Sequence, residues 1–176
     1  MFKRETLTNP RTLALTGVMT AVIFVMTRYV QIPTPISGYV HLGDAGVLFT
    51  SFAFGPAVGA IAGGLGTALA DVTSPYAQWA PFTLIIHGLM GFAAGYLVRG
   101  EGHLWRLLAA AAATGVILVV GYLIAGLILV GAAAVEEIPF NISQIVAGAL
   151  VSGPLYYAVR RAYPPLIWHN ATSEKG

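Results

Sequence analysis

The chain has no cysteine in 176 residues, which excludes disulfides and thiolate metal sites. Charge is scarce too: Asp, Glu, Lys and Arg make up 9% of the residues, against about 25% in a soluble domain. Several chemical signatures are missing. No Gly-x-x-x-x-Gly-Lys-Ser/Thr occurs, so the chain has no P-loop for ATP. The absence of His-Glu-x-x-His and of Gly-x-Ser-x-Gly removes the corresponding zinc proteases and serine hydrolases. A formal charge of +2 gives no reason to expect nucleic acid. No internal repeat relates the first half of the chain to the second, which counts against a stand-alone secondary transporter.

What fills the chain instead is apolar. Hydrophobic residues make up 57%, and the mean hydropathy is +0.77. This composition predicts an all-α, polytopic membrane protein, and the length suits one compact bundle. Six transmembrane helices are expected, over approximately 12–32, 43–55, 56–71, 82–98, 107–135 and 140–159, with a polar tail over 160–176. The basic N-terminus before an apolar run resembles a signal peptide, but no small-residue cleavage site follows, so it reads as a retained first span. Short cytoplasmic loops carry Lys and Arg in excess. Of the nine basic residues, all but Arg28 fall on one side of a six-span arrangement. Both termini are therefore expected in the cytoplasm.

The organising stretch is Tyr39 to Asp71, YVHLGDAGVLFTSFAFGPAVGAIAGGLGTALAD. It reads as two short spans joined at Gly55-Pro56, with an acid at each end and both acids on one side of the membrane. Gly55, Gly59, Gly63 and Thr67 form a small-residue stripe that lets helices approach closely.

Polar residues gather at the outer end of the predicted bundle. Arg28, Tyr39, His41, Asp44, Trp79, Thr83, His87, Glu137, Asn141 and Gln144 are the candidate substrate-binding residues. Glu137, Asn141, Gln144 and Gly148 share one helix face, as do Thr83, His87 and Gly91. Each has a plainer alternative. Trp79 suits an interfacial belt, and Arg28 a snorkelling cation or a bridge to Asp44. Asn141 and Gln144 suit interhelical glue, and His87 a satisfied buried histidine. Asp71 is open between a helix-end charge and the site, while Glu136 reads as solvated loop. Convergence at one depth favours a pocket, because a proton or ion pathway would need polar groups through the whole membrane. Aromatic, amide, imidazole and carboxylate groups together suit a small, flat, heteroaromatic ligand. An integral membrane enzyme using Asp44, His87 and Glu137 is a rival that no catalytic spacing supports. No metal or cofactor site is expected.

Six short spans, a first helix rich in small residues, LGDAGVLFTSFAFGPAVGAIAGGLGTALAD and the closing PFNISQIVAGALVSGPL resemble the substrate-binding S component of an energy-coupling factor transporter. The resemblance covers nearly the whole chain. It implies a non-enzymatic vitamin-capture subunit in a prokaryotic cell membrane, working with a membrane T component and two ATPases that consume the ATP. By the same resemblance Ala14, Gly17 and Ala21 would meet the T component, and Pro33 to Leu42 would form a lid. The closest subgroup implies riboflavin, hydroxymethylpyrimidine or pyridoxine as the class of ligand. The lack of lysine in the outer half tilts the choice toward a neutral or weakly basic one.

Overall fold

A computed structural model of the chain describes residues 9–35, 38–98, 102–164 and 167. Lys3, Arg4, Arg99, Lys175 and most of the expected tail lie outside the described residues, as do Ile36 and Ser37 within the expected lid.

The architecture is all-α, with six helices. Helix α1 spans Pro10–Tyr29. Its start is specified locally: the Asn9 side chain accepts from the Arg11 backbone N–H at 2.9 Å, and Pro10 follows the cap. The chain then turns back as a short antiparallel hairpin, β1 (Gln31–Pro33) on β2 (Tyr39–His41), with Gln31 opposite His41. The expected first span, 12–32, is thus helical only to Tyr29. The following residues pair with β2 instead, and Pro33 cannot continue a helix.

Helices α2 (Gly43–Phe54) and α3 (Pro56–Val72) form a tight hairpin. Gly55 joins them at φ 85°, a conformation that glycine adopts without a Cβ penalty, and Pro56 then starts α3. A 3-10 turn (Ala77–Trp79) leads into α4 (Ala80–Leu97). Helix α5 covers Leu104–Leu129, a second 3-10 turn covers Gly131–Glu137, and α6 covers Ile138–Ala162. The run expected as one span over 107–135 therefore breaks at Leu129. Gly131 takes φ 71°, which stops the helix and folds residues 131–137 across its end.

Packing places α2 at the centre, against α1, α3, α4 and α6. Around it α1, α3, α4, α5 and α6 follow one another in contact. Nearly all of α2 is buried, including Asp44, Leu48, Phe52 and Phe54. The glycine stripe of α3 serves this packing. A Cβ on Gly63 would lie 3.1 Å from the His87 carbonyl oxygen, and one on Gly59 would lie 2.9 Å from that of Gly91. So α3 and α4 meet nearly backbone to backbone, and His87 is held close over α2.

Among the described residues, four helical stretches are long and apolar enough to cross a membrane: Pro10–Tyr29, Ala77–Leu97, Leu104–Leu129 and Gly131–Ala162. Helix α3 is apolar but shorter, and α2 has 12 residues, about 18 Å at 1.5 Å per residue. Leu13, Val18, Val25, Leu89, Val116, Ile128 and Leu150 point outward, each at least half exposed. Apolar side chains on the outside and polar groups inside suit a lipid solvent. The chain is a multi-pass membrane protein. At the end away from the hairpin, Tyr157 and Arg160 of α6 both donate to the Gly102 carbonyl, at 3.0 and 3.3 Å, tying α6 to the start of α5.

Candidate functional site

The hairpin lies over one end of the bundle, and three bonds fasten it to α3 and α6. Thr34, in its turn, donates to Glu137 at the start of α6. Tyr39 donates to Asp71 at the end of α3. The His41 backbone N–H donates to the Gln144 side-chain oxygen on α6, at 2.9 Å.

Under it is a buried polar chain. Gln144 donates from its amide nitrogen to Asp44 Oδ2 at 3.0 Å, so one side chain links hairpin and core. Asp44 Oδ1 lies 2.9 Å from His87 Nε2, and neither side chain has exposed surface. The His87 Nδ1 is 3.3 Å from the Thr83 carbonyl. Thr83 in turn shares a 2.8 Å bond between its hydroxyl and that of Tyr122 on α5. This chain joins α2, α4, α5, α6 and the hairpin, as full satisfaction of buried polar groups requires.

Aromatic rings surround these groups. Tyr39 lies 4.7 Å from Tyr76 and 5.4 Å from His41, measured between ring centroids. Tyr122 is 6.0 Å from Trp79 and 5.9 Å from His87. Burial, with the Asp71 carboxylate beside it, raises the Tyr39 phenol far above its ordinary value, so it acts as a donor. Burial pushes His41 down to about 4, against the opposite pull of Asp44, so its ring is neutral at pH 7.

Between hairpin and helices lies a small cavity lined by Gly38, Tyr39, His41, Trp79, Tyr122, Glu137, Asn141 and Gln144. Its volume is about 30 Å³, enough for roughly one water and far too little for a heteroaromatic ring. Groups that line it, from the hairpin or from the helices, must therefore shift before a ligand of that size can enter.

Six of the ten candidate residues line this cavity: Tyr39, His41, Trp79, Glu137, Asn141 and Gln144. Asp44, Thr83 and His87 stand behind it and hold the liners. Arg28 does not join them. It donates through Nε to the Thr73 carbonyl at 3.2 Å, beyond the last turn of α3, and among the described residues the ion pair present is His87–Asp44. The geometric reason is that Arg28 ends α1, next to the α3 terminus, whereas Asp44 sits on the central helix. Glu136 is exposed and Glu137 buried, so neighbouring acids have opposite environments.

Tyr122, Thr34 and Gly38 escaped the sequence reading. The signal for Tyr122 was a lone phenol in an otherwise aliphatic helix, GVILVVGYLIAGLIL. His41, Asp44 and His87 also bring three donor atoms within 4.8 Å of one another, a spacing a metal ion could use. Both Asp44 oxygens already have protein partners, and His41 Nδ1 accepts from Gly43 N–H at 3.1 Å, so the cluster is complete as a hydrogen-bond network.

Comparison with known proteins settles the family. Residues 8–161 match the ECF-type riboflavin transporter, S component. The chain belongs to this S-component family. It is 32% identical over 158 residues to the thiamine precursor transporter HmpT of Lactococcus lactis subsp. cremoris, spanning 87% of this chain and 90% of that protein. It is 37% identical over 147 residues to a Pyrococcus woesei protein described as uncharacterized, in the gap 3' region, spanning 82% of this chain and 99% of that one. The S-component family is one of transporters.

Proposed function

We propose that this S component captures a B-vitamin or vitamin precursor of the riboflavin, hydroxymethylpyrimidine or pyridoxine class outside the cell. A membrane T component and two ATPases then drive its uptake. In this reading the chain crosses the membrane of a prokaryotic cell six times, α2 and α3 being short spans sheltered by their neighbours, and both termini are cytoplasmic. The chain itself binds no cofactor, and ATP is used by the partners.

The observation that carries the reading is the capped, aromatic-lined cavity at the polar end of the bundle. Tyr39, Trp79 and Tyr122 offer ring faces for stacking. Glu137, Asn141 and Gln144 offer acceptors and donors for the polar edge of a ring. Lysine and arginine are absent from the lining, which disfavours phosphorylated or carboxylated ligands. The thiamine precursor transporter relative supports a small heterocycle.

The test is native mass spectrometry of the purified chain, followed by thermal shift with riboflavin, hydroxymethylpyrimidine and pyridoxine. Stabilisation by one of them at micromolar concentration is expected. No stabilisation by any would count against the reading. For the topology, a cysteine at Gln78 should react with an impermeant reagent in intact cells, and one at Ser173 should not.

A further inference from the structure

Asp71 is the anomaly of this end of the molecule. It is 1% exposed. One carboxylate oxygen accepts from Tyr39, and the other, Oδ2, is buried without a hydrogen-bond partner. Thr83 stands beside the carboxylate as a second hydroxyl neighbour, its oxygen shared with Tyr122 at 2.8 Å, and Oδ2 still has no partner. The guanidinium Nε of Arg28 is committed to the Thr73 carbonyl. A buried carboxylate oxygen left unpaired is costly, and such groups are rare in folded proteins.

Tyr39, which donates directly to Asp71, is on the hairpin and not on a helix of the bundle. Tyr39 belongs to the hairpin and lines the cavity, while Asp71 stands on α3 one side chain behind it. A cavity of about 30 Å³ cannot admit a heteroaromatic ring unless lining groups move, and Tyr39 is one of them. If Tyr39 moves aside, the Asp71 oxygen it holds loses that donor, and Oδ2 already lacks one.

We infer that Asp71 is a binding subsite of this pocket, taking a hydrogen-bond donor of the ligand in exchange for the Tyr39 hydroxyl. The donor is an exocyclic amino group, a ring N–H or a ring hydroxyl. This rests on the vitamin-capture reading and deepens it. The cost of the unpaired oxygen in the empty protein is recovered when the ligand binds, so specificity is stored as ground-state discomfort. A ligand lacking the donor leaves the carboxylate unpaired and is rejected, the asymmetry by which polar sites discriminate most strongly.

The experiment uses the full chain and paired probes. The first pair is 4-amino-5-hydroxymethyl-2-methylpyrimidine and its analogue with hydrogen in place of the amino group. Riboflavin with its N3-methyl derivative, and pyridoxine with its 3-deoxy analogue, are the pairs if the parent prefers those ligands. The parent should favour the donor-bearing member by about tenfold or more, and Asp71→Asn should erase most of that preference. The thermal stability of ligand-free Asp71→Asn should be unchanged or higher, because an unpaired buried carboxylate has been removed. Undiminished discrimination in the variant would overturn the subsite. So would a fall in ligand-free stability with equal loss of both probes, which would make Asp71 a packing residue. Failure of the parent to bind any member of the three pairs would instead overturn the vitamin reading beneath it.

Discussion

Gln144 holds Asp44 at 3.0 Å through its amide nitrogen while its oxygen receives the His41 backbone N–H at 2.9 Å. One side chain on α6 thus orders both the core carboxylate and the cap above it. Asn141, one turn earlier, lines the cavity beside it. The two amides share a helix face but not a task. Gln144→Ala leaves an Asp44 oxygen and the His41 N–H short of a partner, each worth about 1–3 kcal/mol when buried. It should lower the melting temperature without ligand and also weaken binding. Asn141→Ala should leave the ligand-free melting temperature near that of the parent and weaken binding several-fold, about 0.5–1.5 kcal/mol for one lost hydrogen bond. Thermal melts with and without ligand separate the two, and equal destabilisation by both variants would make Asn141 a packing residue.

His41 gives the fold a pH dependence. Its ordinary value is 6.5 and burial depresses it to about 4, with Asp44 and His87 facing it and the Tyr39 ring beside it. The unfolded chain takes up this proton near pH 6.5 and the folded one only near 4, so the unfolded state binds more protons in between. The stability His41 contributes is therefore complete above about pH 6.5 and is lost as the pH falls toward 4. Melting temperatures from pH 8 to pH 4.5 should decline through that window, and His41→Gln should flatten the decline. An unchanged slope in the variant would assign the effect to other groups.

The placement of polar residues along the chain was enough to bring most of the candidates to one end of the bundle, because helix ends on one side of a bundle must meet. Glu137, Asn141 and Gln144 declared their common face by spacing alone, and all three line the cavity. The cap was harder to read. Strands of three residues flanked by prolines have no periodicity, and β1 was absorbed into the preceding apolar run. Arg28 shows a related ambiguity: position near the outer end of α1 does not say which neighbour its guanidinium faces, and its Nε bonds a helix C-terminal carbonyl, not Asp44. Tyr122 lay hidden in the most hydrophobic helix, where a single phenol barely changes the pattern but supplies the far wall of the pocket.

Helix α1 turns two different faces outward and inward. Thr12, Thr16, Met19, Ile23 and Thr27 are buried, whereas Ala14, Gly17 and Ala21 are exposed. A Cβ added at Gly17 would have no atom within 4 Å. Enlarging this face therefore costs the isolated protein nothing in packing, and only a partner helix would feel it. Gly17→Leu and Ala21→Leu should leave ligand binding and the melting temperature near parental values. Uptake in cells carrying the partner subunits should fall severely. Retained uptake in both variants would mean that the T component docks elsewhere.

The bond between Thr34 and Glu137 should help set how readily the hairpin opens. It joins the hairpin turn to the start of α6, and Gly38 packs against the same carboxylate, 3.4 Å from its Cδ to a Cβ built there. Tyr39–Asp71 and His41–Gln144 hold the other side, so Thr34 is one of three fastenings that must part before a ligand enters. Thr34→Val keeps the size and removes the donor. Losing one charge-assisted bond should lower the opening barrier by about 1–2 kcal/mol. Entry and release should then both quicken, roughly fivefold to thirtyfold. The dissociation constant should move much less than either rate, because the bond is absent from the open state on both paths. Stopped-flow fluorescence, with Trp79 in the cavity wall as the reporter, measures both rates. Unchanged entry with faster release would show that the threonine instead holds the ligand, or the closed bound state alone.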